Sequence, residues 1–170
     1  AAALAFRSAL VIPEDGPLVN AAAAEPAETA RLQGQLMHSR FSSPSLGNTR
    51  SLSYYEPAET PAASRLPLLI LFDREAYLER VQIHRKLDFW IEQKRIPPIA
   101  MLLVSNPTRA DRANELPPHS DAFAQMLATE LLPLIRQQHP RIGRKASDVI
   151  VAGSSYGGLA AATVAMRRPE

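Results

Sequence analysis

Apolar and polar positions divide the chain near residue 31. Before it, FRSALVIP (6–13) reads as one strand, EDGP (14–17) as a turn and NAAAAEPAETA (20–30) as a linker. After it, QLMHSRF (35–41) and RSLSYYEP (50–57) alternate, which predicts two edge-type strands around an SLGN turn (45–48). LPLLILF (66–72), IAMLLVS (99–105) and DVIVAG (148–153) are short continuous apolar runs, the pattern of strands covered on both faces. Between the first two, residues 75–94 predict a helix with Leu78, Val81, Leu87, Trp90 and Ile91 on one face, stopped by Pro97 and Pro98. Residues 121–138 predict another, with Phe123, Met126, Leu127, Leu131, Leu134 and Ile135 at helical spacing. Ser120 or Asp121 caps its start and Pro133 kinks its last turns. NPTRADRANELPPHS (106–120) reads as a polar loop, and residues 156–167 as an Ala-rich helix. Strands alternating with helices imply an α/β fold with three αβα layers and a mostly parallel sheet.

Composition narrows the function classes only a little. The 170 residues are 46% hydrophobic, enough for a core. Nineteen basic against seventeen acidic residues leave a formal charge of +2, which makes no general case for nucleic acid. Cysteine is absent, which excludes disulfides, a thiol nucleophile and Cys-ligated metal. It leaves cytoplasm and periplasm both open. No apolar run approaches the roughly 18 residues a membrane helix needs, so no membrane partner is expected.

The chemistry concentrates in VAGSSYGG (151–158). Gly153-Ser154-Ser155-Tyr156-Gly157 fits G-x-S-x-G with Ser155 at its centre, between a predicted strand and a predicted helix. A serine on such a turn projects its hydroxyl above the sheet, where a base reaches it. Small neighbours avoid clashes, Gly158 lets the helix approach the strand, and the N–H of Tyr156 points where an oxyanion would form. No G-K-[ST] follows, so a phosphate loop is set aside. His38, His84, His119 and His139 all precede Ser155, and Glu170 is the sole acid after it. In the α/β-hydrolase order the acid and histidine follow the serine. Among the four histidines only His119, in a loop, stands out. Arg74, Arg109 and Arg112 fall in loops at the C-terminal ends of predicted strands, where α/β sheets bind ligands.

On SRFSSPSLGNTRSLSYYEP, LPLLILFD, RIPPIAMLLV, DRANELPPHSDAF, ELLPLI and VIVAGSSYGGLAAATVAMRRPE, the sequence resembles the enterochelin (iron-enterobactin) esterases. These belong to the putative-esterase (esterase D-like) family of α/β-hydrolases. The resemblance runs from about residue 33 to 170. It implies an α/β-hydrolase fold and cytoplasmic serine-ester hydrolysis of a ferric catecholate siderophore, releasing iron. The periplasm is the alternative compartment. Iron is then part of the substrate; no cofactor or resident metal is implied. Ser155 matches the nucleophile and Tyr156 one oxyanion donor. The second donor is expected from the loop after LILFD, where the family reads D-G and this chain has Asp73-Arg74; the N–H groups of Arg74 and Glu75 are both candidates. Arg112 matches a family arginine that faces the site, and His119 is the other candidate substrate contact. By the same resemblance, residues 1–30 read as the end of an upstream domain plus linker. Residues 31–170 read as the N-terminal part of the catalytic domain, truncated after the elbow helix, so that the sequence is an internal fragment. The rival expectations are a general carboxylesterase or acyltransferase of the same family, and a non-catalytic binding protein with this fold.

Overall fold

The strand in which every residue is buried, β4 (Ala100–Val104), lies at the middle of a five-stranded sheet. The computed structural model describes residues 31–58, 64–118 and 121–169. The expectations for residues 1–30 and for His119 lie outside these. The sheet order is β1 (Gln35–Ser43), β2 (Asn48–Glu56), β4, β3 (Leu68–Phe72), β5 (Val149–Ala152). β3, β4 and β5 run parallel, while β1–β2 and β2–β4 are antiparallel.

The sheet is therefore mixed rather than mostly parallel. The reason is the short turn after Ser43, which returns the chain as a hairpin and so forces antiparallel pairing. β2 is also not an edge strand. It takes β1 on one side and β4 on the other, which buries Leu52 through Tyr55. β5 pairs only with β3 among the described residues, and its Ile150 is 48% exposed, unlike a strand covered on both faces.

Side-chain alternation sends two cores to opposite faces. Leu68, Ile70, Phe72, Leu102 and Val104 meet α3 (Ala122–Met126), α4 (Leu132–Gln138) and α5 (Tyr156–Arg167). Leu71, Met101, Leu103 and Tyr55 meet α1 (Ile83–Glu92). Helices thus cover both faces, and each fully buried aliphatic side chain contributes about 1.5–3 kcal/mol.

The expected helix over 75–94 is interrupted. A wide π-type turn, Ala76–Arg80, is followed by Gln82 at φ 51 before α1 begins. Leu78 and Leu87 both pack on the same core. Nine residues apart, they would face opposite sides of a continuous helix, since each residue turns about 100°. The left-handed residue resets the direction, and Val81 at the break is left exposed. In the 121–138 segment another π-type turn, Leu127–Leu131, directly precedes Pro133 and absorbs the backbone bond that proline cannot make. Asp121 makes no side-chain capping bond there; its carboxylate pairs with Arg167. Residues within the expected polar loop 106–120 form a further helix, α2 (Arg109–Glu115).

Candidate active site

The C-terminal ends of β3 and β5 lie side by side, because Leu71 registers with Ala152. Their following loops therefore emerge together. One carries Asp73-Arg74-Glu75, the other Gly153-Ser154-Ser155.

Ser155 stands at the N-terminus of α5 with φ 55 and ψ −123, outside the regions an L-residue favours. Holding a non-glycine residue there costs about 1–3 kcal/mol, and such strain concentrates at functional sites. Ser155 is exposed, so its hydroxyl is open to an approaching ligand. The turn is so tight that a Cβ on Gly153 would sit 2.5 Å from the carbonyl carbon of Gly157. Gly157 is tighter than most but not closed: a Cβ there would meet Asp73 Oδ2 at 3.2 Å, so the carboxylate would have to give by a few tenths of an ångström. At Gly158 an added Cβ would meet the Gly153 carbonyl oxygen at 3.2 Å, so this glycine serves the turn itself.

The N–H of Gly157 bonds Ser154 O at 2.9 Å, and that of Leu159 bonds Ser155 O at 3.1 Å. Tyr156 is the first helical residue, so its N–H has no carbonyl one turn back within α5 and stays with the orphan donors of the helix start. Across the cleft Asp73 has φ 66, and its carbonyl accepts from Ala76 and Tyr77 N–H at 3.0 and 3.3 Å. Arg74 and Glu75 are thereby the opening residues of a second helical turn, with their N–H groups at its start.

The Arg74 side chain turns away from the serine. Its Nε donates to the Oγ of fully buried Ser53 at 2.7 Å, and Nη1 pairs with Glu75 at 3.0 Å. Arg112, on α2, donates through Nε and Nη2 to the two carboxylate oxygens of Asp73 at 2.7 and 2.8 Å. Asn106 Nδ2 adds a bond to Asp73 Oδ1 at 2.7 Å. The Arg112 guanidinium also lies 5.2 Å from the Tyr156 ring centroid. The bond to Asp73, chiefly, raises the Arg112 pKa above its ordinary value, against a smaller opposing effect of burial. Its Nη1 takes part in neither bond to Asp73. Arg109, the first residue of α2, is exposed.

Two of the three described histidines are engaged elsewhere, and the buried Nδ1 of the third, His84, has no hydrogen-bond partner among the described residues. His38 Nδ1 meets Ser53 Oγ at 2.8 Å, His84 sits on α1, and His139 stacks on Tyr54 at 3.6 Å. Burial, first, lowers the pKa of both His84 and His139. Tyr54 registers with Leu102 at the middle of β4, but His139 also faces Glu56 at 3.9 Å, and Ile142 bridges Leu66 just before β3, which places His139 toward the opposite end of the sheet from Ser155. A cleft at that end, lined by Gln33, Tyr55, Asp88 and Lys94 among others, has no serine, threonine or cysteine in its lining. Its Asp88 is consumed by the N–H groups of Gln33 and Gly34 and by the Tyr55 hydroxyl, all within 2.9 Å.

Sequence reading missed Asp73, Asn106 and Ser53 as members of this neighbourhood. Asp73 and Asn106 each follow an apolar strand at its C-terminal end, the ligand-binding edge of an open α/β sheet. Ser53 carried no such signal. The signal for α2 was Thr108-x-x-Asp111: Asp111 N–H donates to Thr108 Oγ1 at 3.0 Å, and Thr108 Oγ1 donates to Asp111 Oδ2.

Comparison with known proteins agrees with this geometry. Residues 43–170 match the family model described as "Putative esterase". The iron(III) enterobactin esterase of Yersinia enterocolitica is 35% identical over 132 residues, which are 78% of this chain and 36% of that protein. That of Escherichia coli K12 is 30% identical over 125 residues, 74% of this chain and 30% of the relative. The chain thus spans about a third of the length of these curated relatives. The crystal structure of the Shigella flexneri enterobactin esterase FES in the presence of enterobactin superposes with a TM-score of 0.73 at 27% identity, covering 79% of this chain and 34% of that one. The ferric enterobactin esterase of Salmonella typhimurium gives 0.73 at 28% identity, covering 79% and 33%. With its elbow serine and its match over most of its length, the chain belongs to the putative-esterase family and is homologous to the enterobactin esterases.

Proposed function

We propose that the protein is a serine ester hydrolase whose substrate is a catecholate siderophore ester of the enterobactin type. The observation that carries the reading is the backbone of Ser155, strained at φ 55 and ψ −123 between a strand and a helix N-terminus. The sequence identities of 30–35% to enterobactin esterases support the substrate class.

Ser155 Oγ attacks the ester carbonyl carbon. The new O–C bond forms as the carbonyl π pair moves onto oxygen, and the Ser155 proton passes through a base to the leaving alkoxide. The N–H of Tyr156 and that of Arg74 or Glu75 receive the oxyanion; one such donor is worth about a hundredfold or more in kcat. Water then releases the acyl group and restores the hydroxyl. His38 is bonded to Ser53, His139 is stacked on Tyr54 and His84 lies on α1, so the base is not drawn from them. Arg112 grips a catecholate or carbonyl oxygen through Nη1, with its plane beside the Tyr156 ring.

The test is labelling with a fluorophosphonate, followed by hydrolysis of a tri-catecholate lactone and of a short-chain p-nitrophenyl ester. Labelling lost in Ser155→Ala and turnover of the lactone support the proposal. Turnover of simple esters alone would point to a general carboxylesterase. No labelling of the wild type would leave a binding protein.

A further inference from the structure

We propose that Asp73 is a positioning residue that sets two parts of the site at once, the substrate-gripping arginine and the oxyanion loop. The inference rests on the esterase reading above.

Asp73 has four distinct engagements. Its carboxylate takes the planar fork of Arg112 through both oxygens, at 2.7 and 2.8 Å. Asn106, from the loop after β4, holds Oδ1 at 2.7 Å. Its backbone, at φ 66, turns the chain so that its carbonyl accepts from Ala76 and Tyr77. That turn aims the N–H groups of Arg74 and Glu75. Oδ2 also lies against Gly157, where only a hydrogen fits comfortably. One residue therefore touches α2, the β4 loop, the helical turn after β3 and the elbow helix.

The pairing matters because α2 rests on few anchors: Glu115 pairs with Arg50 at its far end, Leu116 just beyond it is buried, and Asp73 holds Arg112. The helix is seven residues long and none of them is buried. A free helix of that length is marginal, so its place depends on those anchors. A lone arginine on it would sample many rotamers, each lost on binding substrate. The Asp73 fork removes that freedom in advance, while leaving Nη1 out of the pair. Preorganisation of this kind appears as tighter binding. The same pair cancels most of the Arg112 charge, so recognition relies on direction more than on net attraction.

Each variant is given two readouts, the fluorophosphonate labelling rate of Ser155 and the affinity for 2,3-dihydroxy-N-benzoyl-serine. Asp73→Asn keeps the volume but loses charge and the two-oxygen grip. Asp73→Asn and Arg112→Ala should each weaken the ligand about tenfold, and the double variant should be no weaker than the weaker single, because one removes what the other orients. Asp73→Asn should also slow labelling about fivefold or more, through the oxyanion loop. Losses that multiply in the double variant, or a labelling rate in Asp73→Asn equal to wild type, overturn the proposal. If Asp73→Asn does not fold, Asn106→Ala removes one bond to the same carboxylate, and both losses should recur in smaller measure; neither recurring overturns it. A wild type that labels but does not bind the catecholate sinks the siderophore reading and leaves labelling to decide Asp73. A wild type that does neither overturns both.

Discussion

Arg50 and Glu115 form an ion pair at 2.9 Å in which the arginine side chain is wholly removed from solvent. Arg50 Nη2 also donates to Asn48, and the guanidinium sits 5.5 Å from the Phe123 ring centroid. Its Nε and Nη1 find no partner among the described residues. Glu115 lies one turn beyond Arg112 on α2, so the pair fixes the far end of the helix that carries Arg112. Removing the carboxylate strands a buried cation whose other donors are already unmet. Glu115→Ala should cost about 3–5 kcal/mol in urea unfolding. Adding Arg50→Met should restore most of it, since apolar groups of similar size often replace such pairs without loss. Equal stability of Glu115→Ala and wild type would show the pair to be dispensable.

The two glycines of the elbow should differ in severity. Gly153→Ala drives a methyl to 2.5 Å from backbone of Gly157, and backbone cannot step aside. Gly157→Ala brings a methyl to 3.2 Å from the end of the Asp73 side chain, which can shift by tenths of an ångström. Gly153→Ala is expected to cost about 3 kcal/mol and to abolish fluorophosphonate labelling; Gly157→Ala should cost about 1 kcal/mol and slow it. Thermal melts and labelling rates read both. The reverse ranking would mean that the turn relaxes and that Asp73 does not.

The parts of this fold legible in the sequence are those whose signal is local. β3 and β4 were marked by continuous apolar runs, and α5 spans the expected residues 156–167 because a strand, a glycine turn and an Ala-rich stretch follow one another. α2 was illegible by periodicity, since a helix that buries nothing has no apolar face to display. The break at Gln82 was equally hidden. It is imposed by the core that Leu78 and Leu87 share, and neither residue reveals it alone. The Asp73–Arg112 fork joins residues 39 apart in sequence. It exists because β3 and β4 are parallel neighbours, so their C-terminal loops open on the same edge, and that adjacency is a property of strand order.

Stability should fall as the solution becomes mildly acidic. Burial holds the His139 ring below the ordinary 6.5, against an opposing pull from Glu56. His84 is lowered too, first by burial. The unfolded chain then takes up these protons at higher pH than the folded one. The stabilising contribution is complete above 6.5 and is lost as pH falls through the folded-state values. Each histidine contributes a slope of at most about 1.4 kcal/mol per pH unit. His139→Phe keeps an aromatic ring to stack on Tyr54 and removes the titration. Its melting temperature should vary less than that of wild type between about pH 7.5 and 5. Parallel curves for the two proteins would assign the acid sensitivity elsewhere.

Ser53 supplies the last test, because it separates the Arg74 side chain from the Arg74 backbone. The Ser53 hydroxyl is fully buried on β2, accepts from Arg74 Nε at 2.7 Å and meets His38 Nδ1 at 2.8 Å. A hydroxyl that accepts from a guanidinium has its own hydrogen free for the imidazole nitrogen. The result is a tether from the β1–β2 hairpin to the turn whose N–H groups are proposed as second oxyanion donors. Ser53→Ala leaves Arg74 Nε and His38 Nδ1 without this partner and should cost about 1–3 kcal/mol. If the tether holds the turn in place for the transition state, kcat should fall several-fold while KM stays near its original value, since the oxyanion exists only in the transition state. Ser53→Thr keeps the hydroxyl and should recover most of the rate. A loss of stability with both constants unchanged would reduce the tether to packing and leave the aim of the oxyanion donors to the Asp73 turn alone.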